Sequence, residues 1–148
     1  MTRRAVLPVV VAALGALAAT APLASAAGSA VPSAWAAGAN AICTKAQKGI
    51  PKVSRTASIE EMTKSTQKVL DIVIRQSGEL AKLPRPSRDA ASIVRLLGYY
   101  TQQIAALRGM VAALKKGDQK AWEAQVAKGD AVNTKAITLS RKLGATRC

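Results

Sequence analysis

AASIVRLLGYYTQQIAALRGMVAALKKGD, residues 90–118, is the stretch that decides the fold. Ala90, Ile93, Leu97, Tyr100, Ile104, Leu107, Val111 and Leu114 alternate steps of three and four without a slip. That spacing keeps an apolar seam on one side of a long helix. Gly117 supplies a helix stop, and Asp118 can cap whatever follows.

Working outward, the spacing predicts three more helices. The next runs from about residue 119 to Leu143, before Gly144, with a looser seam of Trp122, Val126, Gly129, Val132, Ala136, Leu139 and Leu143. Upstream, Ser58-Ile59-Glu60-Glu61 has the form of a capping box, in which the acid three positions on reaches back to the cap. Ile59, Met62, Thr66, Val69, Val73, Leu80 and Leu83 then form a seam that Pro84 and Pro86 end. A shorter helix, about Trp35 to Lys48, carries Trp35, Ala39, Ile42 and Ala46 and stops before Gly49 and Pro51. Three long helices and one short one, joined by tight connections at 84–87 and 117–118, predict an all-α, antiparallel four-helix bundle. Phe is absent and aromatic residues make up 3% of the chain, so the core is expected to be aliphatic.

The beginning of the chain reads differently. Met1-Thr2-Arg3-Arg4 is followed by an apolar run to about Ala19, with small residues at Ala24 and Ala26. A basic start, an apolar middle and small residues at the end are the pattern of a secretory signal peptide, here residues 1–26. Residues 27–34 are expected to be a flexible approach and 35–148 the helical domain. Pro8 and Pro22 interrupt the run, and no other stretch reaches the ~20 apolar residues of a membrane span, so no anchor is expected after processing. The arginine pair leaves the export route open between the general secretory and twin-arginine pathways.

Export changes how the two cysteines, Cys43 and Cys148, are read. Disulfides persist in oxidising compartments, and two cysteines allow one intramolecular pairing. In an up-down-up-down bundle the fourth helix ends where the first begins, so Cys148 is expected to fold back onto Cys43 as a clamp.

Little in the sequence suggests catalysis. Histidine is absent, and there are only eight Asp and Glu. Inward-facing Glu with Glu-x-x-His pairs, the usual metal site of bundles, cannot be assembled. Glu60, Glu61, Asp89 and Asp118 sit at helix starts, where negative charge favours the dipole. Asp71 can pair with Arg75 four residues on. Ser65-Thr66-Gln67-Lys68 matches the S-x-x-K of penicillin-recognising enzymes, but it lies within a helix and lacks the companion motifs. Tyr99-Tyr100 could offer a haem ligand, with no histidine to accompany it. The expectation is no enzyme, no metal and no cofactor.

Charge is the main functional signal. Removing residues 1–26 takes Arg3 and Arg4 and lowers Lys plus Arg from 22 to 20, against eight acids, a net charge of +12. Lys68, Arg75 and Lys82 recur every seven residues on the second helix, and Lys128, Lys135 and Lys142 do so on the fourth. Seven residues are close to two turns, so each set forms one stripe. Lys45, Lys64 and Lys120 belong to neither. The stripes could solvate the bundle, but the excess of charge exceeds what solubility needs. The expected partners are an anionic envelope polymer, lipid head groups or an acidic protein. Nucleic acid is disfavoured because no aromatics stand beside the basic residues. Gly78, Gly98, Gly109 and Gly129 lie inside helices, where they serve close packing or, alternatively, open an interhelical cleft for a lipid or haem-like ligand.

Residues 39–43 (ANAIC), 83–86 (LPRP), 115–118 (KKGD) and 143–148 (LGATRC) resemble the small secreted, Ala-rich helical proteins of high-GC Gram-positive bacteria. The resemblance implies export, a helical bundle and a terminal disulfide. It carries no functional residue with it.

Overall fold

A computed structural model describes residues 33–52 and 57–148; the expected signal peptide and most of the approach lie outside them. The chain forms four helices, α1 (Ala34–Gly49), α2 (Ile59–Ala81), α3 (Ala90–Lys116) and α4 (Gln119–Lys142). No strand is present among the described residues. Ser33 accepts from the Ala36 amide as N-cap of α1, so the last two residues of the expected approach belong to the bundle. The starts of α2 and α4 have side-chain caps, whereas Asp89 at the start of α3 makes no cap bond and pairs with Arg88 instead. The Ser58 hydroxyl accepts from Glu61 N, and the Glu61 carboxylate accepts from Ser58 N at 2.7 Å, completing the capping box. Those bonds to Ser58 hold the exposed Glu61 carboxyl below its ordinary value. Asp118 accepts from Ala121 N at 2.9 Å. Ser58→Ala is expected to cost about 1 kcal/mol, read as a lower midpoint in urea; an unchanged midpoint would show that the box adds nothing to α2.

Two helices end on glycine in the left-handed region, Gly117 at φ 66° and Gly144 at φ 81°. There a Cβ is strained, and only glycine adopts the turn freely. After each glycine the next amide returns to a carbonyl five residues back, Asp118 N to Ala113 O and Ala145 N to Ser140 O. This pattern satisfies carbonyls that the helix end leaves open.

The helices pack in chain order, α1 on α2, α2 on α3 and α3 on α4. Neighbours run antiparallel. Gly38 lies against Leu83 and Gly49 against Ile72, while Gln103 donates to Asn133 and Gly109 faces Gln125. The backbones of α1 and α4 do not approach each other. The residues after α4 close that seam, with Gly144 beside Ala36, and Ala145 fully buried. The core lies at this end of the bundle. It joins Trp35, Ala36, Ala39 and Cys43 to Leu80, Ile93, Leu96, Tyr100, Ala136 and Ala145.

The seams of the sequence are partly redrawn. α3 neighbours both α2 and α4, so it buries Leu96, Ala106 and Ala113 beside Ile93, Tyr100, Val111 and Leu114. On α2, Ile59 is exposed, because α1 covers only the later turns, and Ile72 is buried where α1 ends. On α4, Ala136 and Ser140 are the buried residues, since its only helical neighbour is α3. Glycine divides into two uses. A Cβ at Gly109 would stand 2.6 Å from Gln125 and one at Gly129 3.0 Å from Met110, whereas Gly78 and Gly98 have open space. Gly78→Ala is therefore expected to raise stability by about 1 kcal/mol through helix propensity alone. Gly109→Ala should gain less, because Gln125 must rotate away. Equal gains in thermal unfolding would contradict this division.

Candidate functional site

Cys43 and Cys148 form a disulfide across 105 residues of sequence, with their Cα atoms 5.1 Å apart. The tail that carries Cys148 lies along α1 and is held by side chains as well. Asn40 donates from Nδ2 to Gly144 O and accepts from Arg147 N at 2.8 Å, and Gln47 donates to Arg147 O at 2.6 Å. Beneath the tail, Gln76 Nε2 donates to Cys43 Sγ at 3.0 Å and to Tyr100 Oη at 3.2 Å. Burial pushes the Tyr100 hydroxyl up to about 12, so it stays protonated at any ordinary pH. The hydroxyl considered as a haem ligand is thus engaged in a buried polar cluster around the disulfide.

All six stripe residues, Lys68, Arg75, Lys82, Lys128, Lys135 and Lys142, are exposed. None of them forms an ion pair among the described residues, where the pairs are Lys45–Glu79, Lys64–Glu60 and Arg88–Asp89. The expected Asp71–Arg75 pair does not form; Asp71 accepts from Gln67 instead. The two stripes stand on α2 and α4, helices whose backbones are not neighbours. Arg75 alone of the six lines a described pocket, a recess of about 180 Å³ between α1 and α2 shared with Lys45, Gln76 and Glu79. Ser65 and Lys68 line neither described pocket.

The larger of the two described openings is one the sequence did not reveal. A groove of about 480 Å³ runs between α1 and the tail, with Lys45 and Lys48 on one wall and Arg147 on the other. Asn40, Thr44 and Thr146 supply polar atoms, and no carboxylate side chain lines it. Lys45, which belongs to neither stripe, borders both this groove and the recess beside Arg75. Lys45 and Lys48 share one helix face by spacing, but only the returning tail gives that face a second wall. Among the described residues, no three His, Cys, Asp or Glu are grouped to hold a metal ion, and no helix is long and apolar enough to cross a membrane. No family model, curated protein or solved structure matches the chain.

Proposed function

We propose that this is an exported, non-enzymatic helical bundle that binds an anionic component of the cell envelope through its basic surface. The observation that carries the reading is the set of six exposed stripe cations, none of which pairs with a carboxylate among the described residues. Cations left unpaired keep their field available to an external anion, and regular spacing lets several meet one extended polyanion or membrane surface. A disulfide fits an oxidising compartment outside the cytoplasm, which agrees with the export pattern of residues 1–26.

The test compares arrangement at equal net charge. A basic residue near an anionic surface contributes about 1 kcal/mol, so neutralising Lys68, Arg75 and Lys82 to Gln should weaken binding to anionic vesicles or envelope polymer by roughly a hundredfold. Neutralising Lys52, Lys115 and Lys120, which lie outside the stripes, should weaken it by less than about tenfold, and salt should release the parent because screening reaches ~8 Å at physiological ionic strength. Equal losses would leave only a diffuse field. A parent protein that fails to bind at low salt would end the proposal.

A further inference from the structure

We infer that the groove between α1 and the tail is a binding site for a phosphate group, either on a free phosphomonoester or on a phosphodiester polymer. The inference rests on the anion-binding reading above but places one anion at a defined position. Three cations, Lys45, Lys48 and Arg147, line an opening that holds no acidic side chain. Glu79 sits 3.9 Å from Lys45, whose side chain remains 77% exposed, and lines the recess on the other flank and not the groove. The C-terminal turns of α1 present carbonyls that disfavour an anion. Lys48 and Arg147, which form no ion pair among the described residues, outweigh that partial charge, and the exposed Lys45 adds to them although Glu79 stands near it.

Phosphate suits this donor set better than a single carboxylate. It carries up to two charges and several acceptor oxygens, which three cations and the hydroxyls of Thr44 and Thr146 can share. Arginine offers a planar fork and lysine a mobile point charge, so the pair of walls provides both kinds of contact. At about 480 Å³ the solvent-open groove exceeds a bare ion and leaves room for the body of a small ester beside Ala41. Pockets for small ligands commonly begin near 300 Å³ (roughly).

The wall is also preorganised. Arg147 has its amide bonded to Asn40 and its carbonyl to Gln47, and the neighbouring Cys148 is pinned to α1. A backbone fixed on both sides leaves less motion to lose on binding.

The experiment is a titration of the oxidised protein with pyrophosphate, followed by backbone amide shifts. Saturable shifts are expected at Thr44, Lys48, Thr146 and Arg147. The double variant Lys48→Gln with Arg147→Gln should lose about tenfold or more in affinity, as two charge-assisted contacts disappear. Lys128→Gln with Lys135→Gln changes net charge equally and should stay within about twofold, since neither residue lines the groove and exposed charges are screened by salt. Glycerol 3-phosphate and a poly(glycerol phosphate) oligomer distinguish the sources: tighter binding of the monoester marks a free solute, and tighter binding of the oligomer marks a polymer. Shifts spread over both stripes, equal losses in both variants, or no shifts at millimolar pyrophosphate would each overturn the groove site. The vesicle and polymer measurements on the stripe variants decide the broader reading separately.

Discussion

Cys148→Ser is expected to lower the stability of the oxidised protein by about 4 kcal/mol, a fall in melting temperature on the order of 20 °C for a domain of this size. Joining residues separated by 105 positions removes much of the freedom of the unfolded chain, and that restriction disappears with the bond. The native contacts change less. Asn40 and Gln47 still hold the tail backbone, and the Cys43 sulfur remains beside Gln76. The loss should therefore come largely from a more expanded unfolded state, so the urea m-value should rise as the midpoint falls. A loss below about 1 kcal/mol would mean that the unfolded chain gains little freedom when the bond is removed.

Trp35→Ala is expected to cost about 3–5 kcal/mol, the range for removing a buried large aromatic side chain. Trp35 is 1% exposed and sits in the first turn of α1, where it meets the core formed by all four helices and the tail. Its ring nitrogen finds no acceptor among the described residues. A buried donor without a partner costs roughly 1–3 kcal/mol, so Trp35→Phe should recover most of the loss by filling much of the volume without that group. Chemical denaturation of the two variants checks both statements. A Phe variant as unstable as the Ala variant would show that the indole nitrogen has a partner in solution.

Much of the fold was legible because its signals are local. The capping box at Ser58, the cap at Asp118 and the stops at Gly117 and Gly144 each act within a few residues and have their expected bond or turn, and Ile93, Tyr100, Val111 and Leu114 of the α3 seam are buried. Two cysteines left one pairing to consider, and the short connections brought it together. The buried faces of α2 and α4 were less legible, because which turns are covered depends on the length and position of the neighbouring helix. Ile59 and Ile72 have the same hydrophobicity, and only the end of α1 decides that one is exposed and the other buried.

The basic surface divides in the same way. Stripes on one helix follow from seven-residue spacing, and their six residues are exposed as that spacing implies. The groove is formed by Lys45 and Lys48 with Arg147, residues about a hundred positions apart, and no periodicity relates them.

Chain-order packing also sets the sequence of events in assembly. Helical hairpins of α1 with α2, α2 with α3 and α3 with α4 can each form from contacts near in sequence, which favours rapid collapse. The meeting of the tail with α1 spans the whole domain and becomes productive only when those hairpins are in register. The long loop therefore places bond closure after the local hairpins in the expected order of assembly, with the thiols meeting once the helices are packed.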